Sequence, residues 1–197
     1  MKKTILFLFA LMALFTQCKK DEPNDDNNIV DNSKKVEIDV HADILNWKYF
    51  SFEQNAEVGV ANFGDTLSWD LGIHYENFRT NGGKSGKGQG AVIDLGEVDF
   101  NSVTINSIGA NTFTEDDTIQ VIQSMSMPPV MVKVPGSVLL EAVFKSPTGP
   151  TDQTYAPNNH VYIIKTAGGR HVKFIGTSFF NDAAVKGYLN FTYEFLD

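Results

Sequence analysis

Apolar and polar residues alternate one by one through much of the chain. The pattern is clearest in two separate stretches, residues 36–41 and 189–195. A period of two places every second side chain on the same face of a β-strand, whereas a helix requires a period near 3.6. The alternation therefore predicts strands with one buried face and one wet face.

Eight more segments are predicted to be strands because they are rich in β-branched or aromatic residues and are separated by turn clusters of Gly, Pro and Asn. They are residues 47–52, 66–74, 91–95, 102–105, 118–123, 130–134, 160–166 and 172–178. Residues 137–144, SVLLEAVF, fit either a short helix that begins at Ser137 or a buried strand. We therefore predict an all-β, mostly antiparallel domain with at most short helices.

The N-terminus has the layout of a secretory signal. Residues 1–17 carry two lysines and then the apolar run ILFLFALMALF, which is too short to span a membrane. Cys18, the only cysteine, follows directly, and a lone cysteine there is typical of the lipid-modified first residue of a bacterial lipoprotein. The alternative is an ordinary leader cleaved nearby, which would leave an unpaired thiol.

The remaining chain divides into a tether and one domain. Residues 18–35 are polar and lack periodicity, as expected of a flexible, lipid-anchored tether. The Lys-Lys-Asp-Glu stretch behind Cys18 also resembles a signal that exports lipoproteins to the cell surface. Residues 36–197 are long enough for a single β domain that buries roughly two-thirds of its unfolded surface.

Charge and motifs exclude several classes of function. Removal of the two leader lysines leaves 14 basic against 24 acidic residues, a formal charge of −10. Such a chain would be repelled by phosphate backbones, and it has no basic stripe with interleaved aromatic residues, so we expect no nucleic-acid partner. Nucleophile-elbow, zinc-protease and calcium-loop motifs are absent, so we do not expect an enzyme.

Residues 69–90, WDLGIHYENFRTNGGKSGKGQG, contain a glycine-rich loop that fails as a phosphate-binding motif, because Gly86-Lys87 is followed by Gly88. This segment, together with WKYFSF at 47–52, VYIIKTAGG at 161–169, FFND at 179–182 and residues 187–195, resembles the HmuY-like family of surface haem-binding lipoproteins. The matching segments occur in the family's order behind a lipoprotein-like leader.

The resemblance implies a single β domain that grips one haem between loops at the tip of its sheet. It also implies a haemophore-like lipoprotein of the outer membrane, exposed at the cell surface. Such a protein captures haem from host carrier proteins and passes it to a TonB-dependent outer-membrane transporter. The alternative is a surface lipoprotein of the same fold that does not ligate haem and binds another ligand or a partner protein.

Three methionines remain after the leader, Met125, Met127 and Met131, all within SMSMPPVM. Thioethers are natural axial ligands of haem iron, although methionine also fills gaps in apolar cores. The prolines at 128 and 129 favour a loop edge over a core position. The family carries an axial ligand, His or Met, in the corresponding region, so the resemblance implies a ligand here, with Met131 the first choice and Met127 the second.

Strand geometry places a lysine, Lys133, on the same face as the proposed ligand Met131. In VMVKV, Val130, Val132 and Val134 share one face, so Met131 and Lys133 share the other. A thioether beside a cation would suit haem, because the sulfur can bind the iron and the cation can pair with a propionate. A half-exposed edge strand, however, would show the same alternation of residues.

The second ligand is less defined. The resemblance places it at or near Lys145 or Ser146, neither of which is a standard haem ligand, and Lys145 could also contact a propionate. His160 is a possible replacement because it lies beyond the same turn, although a histidine at a strand end is also a common surface residue. His41, His74 and His171 are interpreted as structural.

Overall fold

Strands make up most of the regular structure, as the alternation predicts. A computed structural model describes residues 31–144 and 154–196. Its strands are β1 (Lys34–Asp39), β2 (Lys48–Ser51), β3 (Ala56–Glu57), β4 (Leu71–His74), β5 (Asn77–Thr80), β6 (Ala91–Asp94), β7 (Asp117–Ser124), β8 (Val130–Gly136), β9 (Tyr162–Lys165), β10 (His171–Phe180) and β11 (Lys186–Phe195). Every pairing between them is antiparallel, which confirms the predicted fold class.

The strands form three sheets. The larger sheet has the order β1-β11-β10-β9-β6, the second has the order β3-β2-β4-β5, and β7 pairs with β8 as a separate hairpin. The described residues from Asn32 onward belong to one compact unit. Because β1 begins at Lys34, the first strand includes the last two residues of the predicted tether.

The main core lies between the two larger sheets and is largely aromatic. Phe50 of β2 packs edge-on against Phe191 of β11, with ring centroids 5.5 Å apart. Phe78 of β5 meets Phe174 of β10 in the same manner at 6.2 Å. Such edge-to-face pairs add stabilisation beyond the burial of their apolar area.

A second, smaller core covers the other face of the larger sheet. Ile93 of β6 and Ile163 of β9 pack there with Val103 and the partly buried Phe100. Their neighbours Val92 and Ile164 point into the main core. Strands β6 and β9 are therefore buried on both faces, which explains why their sequences are apolar without alternation.

The second core also accounts for one wrong prediction. Residues 102–105 are not a strand, because they connect two 3₁₀-helices, Phe100–Ser102 and Ile105–Ile108. The apolar side chain of Val103 is buried against the sheet rather than paired within it. A third 3₁₀-helix, Leu140–Ala142, occupies the segment that fitted either a short helix or a buried strand.

The segment 66–74 is a strand only from Leu71, and β5 was not predicted. Arg79, in the middle of β5, is buried between Trp47 and Phe63, with its guanidinium carbon 3.3 Å and 4.4 Å from the two ring centroids. A buried arginine breaks the apolar alternation by which a strand is recognised. Stacking on aromatic faces accommodates the cation there.

The glycine-rich loop wraps around the buried side chain of Asn81. Its amide nitrogen donates to the carbonyl oxygens of Thr66 and Trp69, both at 2.9 Å, and its amide oxygen accepts from the Gly88 amide at 3.2 Å. A Cβ atom at Gly82 would lie 2.0 Å from the carbonyl oxygen of Gly90. Glycine is required because backbone packs against backbone. We call residues 81–90 the Asn81 loop.

Two buried aspartates fix this loop and the adjoining sheets. Asp70 accepts hydrogen bonds from the amides of Phe52 and Ala167, each at 2.9 Å. Asp116 accepts from the Thr80 amide at 2.8 Å, the Thr80 hydroxyl at 2.8 Å and the Ser85 hydroxyl at 2.6 Å. Burial raises the pKa of Asp116 to about 6, although these hydrogen bonds lower it.

Candidate ligand-binding cavity

A cavity of about 550 Å³ lies beside the β7–β8 hairpin. Its wall is formed by residues far apart in sequence, from Ile44 through the β4–β5 turn and the hairpin to Tyr155 and Lys186. The volume falls within the range of about 300 to 1,000 Å³ that is usual for small-molecule sites. This convergence of distant segments makes the cavity the candidate functional site.

Two of the three predicted methionine ligands line this cavity. Met131 lies on β8 opposite Ile122 of β7, and Met125 follows the end of β7. Their side chains are 52% and 62% exposed, so neither is a core filler. Met127 is 100% exposed and is absent from the described lining. Its complete exposure also excludes a packing role.

A pair of tyrosines forms another part of the wall. Tyr75 and Tyr155 both line the cavity, and their rings meet edge-on with centroids 5.9 Å apart. Each also packs on Phe179 of the main core, at 5.0 Å and 4.8 Å. Burial raises the pKa of Tyr75, and its interaction with the neighbouring Tyr155 acts in the same direction.

Both tyrosines have backbone angles that favour glycine. The φ angle is +54° at Tyr75 and +33° at Tyr155. Tyr75 is the first residue of the two-residue turn between β4 and β5, a position that usually takes glycine when φ is positive. Left-handed backbone at bulky residues costs of order 1 to 3 kcal/mol and is concentrated at functional sites.

Charged groups of both signs border the cavity. The Lys186 ammonium lies 5.8 Å from the centre of the Tyr155 ring. Glu76 and Glu141 contribute carboxylates, and burial raises the pKa of Glu141. Lys133 lines an adjoining pocket that shares Gln120 and Glu141 with the main cavity, so Met131 and Lys133 do face the same side of β8.

The structure does not bring His160 to this cavity. Its Nδ1 atom lies 3.0 Å from both carboxylate oxygens of Asp94, at the end of β6. Among the residues that the structure describes, no cluster of three or more His, Cys, Asp or Glu side chains is arranged to hold a metal ion. Lys145 and Cys18 lie outside the described residues.

Sequence reasoning missed Tyr75, Tyr155 and Lys186. One signal was available for Tyr155, because it is the only large aromatic residue in the polar stretch TDQTYAPNN. Tyr75 became recognisable only once β5 was known, since the two-residue turn depends on that strand. Lys186 begins β11, and no local pattern relates it to the hairpin.

Comparison with protein families gives a match to the HmuY protein over residues 43–193. No curated protein matches the chain. Solved structures match over most of its length. One is a Bacteroides vulgatus protein assigned as HmuY-like and haem-binding, with 21% identity and a TM-score of 0.64, covering 82% of this chain and 90% of that one.

Two further structures give the same fold. The apo form of a HmuY analog from Tannerella forsythia is 21% identical with a TM-score of 0.65, covering 84% of this chain and 96% of that one. A Bacteroides fragilis protein assigned as a lipoprotein is 21% identical with a TM-score of 0.64, covering 84% and 90%. In the part of the chain that the structure describes, no helix has the length and apolar character needed to cross a membrane.

Proposed function

Since the chain belongs to the HmuY family, we propose that it binds haem in the cavity beside the β7–β8 hairpin. The observation that carries this proposal is the exposure of Met125 and Met131 on the wall of a cavity that also presents aromatic rings and a lysine. Half-exposed methionines at a concave site serve a ligand better than they serve packing.

The residues present fit haem in three respects. The thioethers of Met125 and Met131 are suitable axial ligands for iron. Ile44, Ile122 and Pro129 supply apolar wall for the faces of a porphyrin. Lys186 and Lys133 place positive charge at the cavity and the adjoining pocket, which suits the propionates because they are anions at neutral pH.

Within this site we assign the first iron ligand to Met131. It lies within the paired part of β8, so its backbone is fixed by the register with Ile122, whereas Met125 follows the end of β7. A ligand on a strand is held more precisely than one on a loop. Haem bound here would bring its own redox chemistry, and the protein would supply only binding and orientation.

The wider role that we propose is that of a haemophore-like lipoprotein without catalytic activity. It would be lipid-anchored through Cys18 at the outer membrane, facing the cell surface, and would pass haem from host carriers to a TonB-dependent transporter. The secretory layout of residues 1–17 and the single cysteine behind them support this location. Replacement of Cys18 by Ala should release the protein from the membrane fraction, since acyl chains would supply the anchoring affinity. Unchanged retention would refute the anchor.

The test of haem binding is a titration of the purified protein followed by its visible spectrum and melting temperature. At a free haem concentration of about one hundred times Kd, binding should add roughly 2.7 kcal/mol to the free energy of unfolding. Met131→Ala should reduce this increment, and wild-type affinity should rise under reducing conditions, because ferrous iron prefers sulfur more than ferric iron does.

Met127→Ala is the matched control, because Met127 lies in the same hairpin connection but is absent from the described lining. Equal loss of haem affinity in both variants would contradict the assignment of Met131. A wild-type protein that gives no Soret band would favour the alternative, a surface lipoprotein of this fold that binds another ligand or a partner protein. Lys145→Ala and a His160→Ala variant test the two remaining ligand predictions in the same assay.

A further inference from the structure

We infer that Arg79 is the centre of a second binding site, which takes a monatomic anion such as chloride on the face of the sheet β3-β2-β4-β5 that is turned away from the main core. Its guanidinium supplies a positive charge and unpartnered N–H donors, and the rings of Trp47 and Phe63 enclose it. These three residues are not among the described residues that line the proposed haem cavity, so the inference does not rest on haem binding.

Strand geometry places Arg79 on that outer face. Phe78, its neighbour in β5, packs in the main core, so the side chain of Arg79 points to the opposite face of the sheet. Arg79 lies opposite Gly72 of β4, and a Cβ atom at Gly72 would lie 2.5 Å from the Arg79 Cγ atom. The glycine therefore leaves room for the arginine stem to lie against the strand.

The buried guanidinium has no counter-ion among the residues that the structure describes. Arg79 is 2% exposed, and none of the ion pairs between described residues includes it. The charge of Asp116 acts on it, but the oxygens of that carboxylate accept hydrogen bonds from Thr80 and Ser85. Burial lowers the pKa of Arg79 to about 10, which leaves the group charged at neutral pH. A buried charge is normally paired, so an anion from solution would complete the site.

The N–H donors of Arg79 lead to the same conclusion. Aromatic stacking engages the faces of the guanidinium but not its edges, where the N–H groups lie. Within the described part of the chain, the Nε and Nη1 atoms are buried without a hydrogen-bond partner. Because the group is almost fully enclosed, a ligand there has to be about the size of a water molecule. Chloride meets this limit and, unlike water, also balances the charge.

His74 adds another unpartnered atom to the same cluster. Its ring is 2% exposed and lies 5.2 Å from the ring of Trp47, and its Nδ1 atom has no hydrogen-bond partner among the described residues. Burial lowers the pKa of His74, so the ring is neutral at pH 7 and can donate from Nδ1. Buried polar atoms are normally hydrogen-bonded, so two such side chains against one tryptophan indicate an occupant.

The only other arginine of the chain shows the paired alternative. Arg170 also stacks on an aromatic ring, with its guanidinium carbon 3.8 Å from the centre of Phe195, and it forms an ion pair with Glu53. Arg170 thus has both a ring and an anionic partner although it is far more exposed than Arg79. Arg79 has two rings and no carboxylate in an ion pair among the described residues, which makes Arg170 the matched control.

The first experiment measures thermal unfolding of the purified protein against chloride concentration, with ionic strength held constant by methanesulfonate, an anion too large for the site. At about ten times its Kd, chloride should raise the Tm of the wild type by about 3 to 6 °C. Arg79→Met, which keeps an apolar stem between the rings, should lose this response. Without chloride it should be no less stable than the wild type, because an unpaired buried charge is destabilising. Arg170→Met should respond to chloride as the wild type does.

A crystal of the wild-type protein soaked in bromide locates the anion directly, so the inference does not depend on the folding of a variant. An anomalous peak in contact with the Arg79 guanidinium, together with the chloride response, would support the site. A water molecule in place of bromide would overturn it. Bromide at the guanidinium without any chloride response of Tm would be an adventitious ion only and would also overturn it, as would equal responses of the wild type and Arg79→Met.

Discussion

The Asn81 loop and the β7–β8 hairpin place their polar and apolar groups in opposite ways. In the loop, a buried amide makes three hydrogen bonds and the glycines allow backbone to pack on backbone. In the hairpin, Met125 and Met131 are half exposed and face a cavity. The residues that most resemble the family at the sequence level thus build a rigid frame, while the proposed ligand chemistry lies on a separate and less packed element.

The largest expected effect is in the loop. Gly82→Ala would place a Cβ atom 2.0 Å from the Gly90 carbonyl oxygen, and only backbone movement could relieve the clash. We expect the free energy of unfolding to fall by about 4 kcal/mol or more. Gly168→Ala is the control, because a Cβ atom there meets nothing within 4 Å. Equal denaturant midpoints for the two variants would show that the loop is not rigid.

The second largest effect on stability is expected at Asp116, the buried aspartate that accepts a hydrogen bond from Ser85 of the Asn81 loop. Because the pKa of Asp116 is raised from 3.8 to about 6, the folded state holds its proton more tightly than the unfolded state. Its contribution to stability is complete below pH 3.8 and is lost as pH rises through 6. The loss should amount to about 3 kcal/mol.

Denaturant titrations of wild type and Asp116→Asn between pH 3.5 and 7 measure this contribution, since the amide does not titrate. Asp70 also has a raised pKa through burial and acts in the same direction in both proteins, so it cancels in the difference. Parallel stability profiles for the two proteins would show that Asp116 titrates normally.

A smaller effect on stability is expected in the β7–β8 hairpin. Met131→Ala should lower the stability of the apo-protein by only about 1 kcal/mol, because half of the side chain is already in water. A fully buried methionine would cost about 2 to 5 kcal/mol. Thermal unfolding of the apo-protein measures the difference. A loss of free energy of unfolding as large as that of Gly82→Ala would mean that the hairpin is packed as tightly as the Asn81 loop.

The smallest effect is expected at Met127. Its side chain is fully exposed, so Met127→Ala should change stability by less than about 0.5 kcal/mol. The same thermal assay applies, with Met131→Ala measured in parallel. A clear loss of stability at Met127 would indicate that the tip of the hairpin packs against the domain in solution.

Many of the strands could be predicted from the sequence, because apolar and polar residues alternate in them or they are rich in β-branched residues. Prediction failed where tertiary packing overrides local pattern. Residues 102–105 have a strand-like composition, yet Val103 is buried between two 3₁₀-helices. Strand β5 was missed because the buried Arg79 depends on the rings of Trp47 and Phe63, which come from elsewhere in the chain.

The candidate site was predicted only in part. Met131 and Lys133 could be assigned to one face of a strand from spacing alone, and the structure places them on adjoining pockets. The tyrosine pair could not be found in this way. Its two members lie far apart in sequence, and their positive φ angles depend on the turn and on the core residue Phe179.

The order of strands in the larger sheet has a consequence for biogenesis. Among the described strands, β1 pairs only with β11 in that sheet, with Lys34 opposite Tyr193. The first described strand of the domain therefore lacks this partner until the last strand has been synthesised. A sheet closed by contacts of such long sequence separation forms slowly, on the scale of milliseconds to seconds for comparable β domains. The arrangement therefore delays closure of the larger sheet until the whole domain has been synthesised.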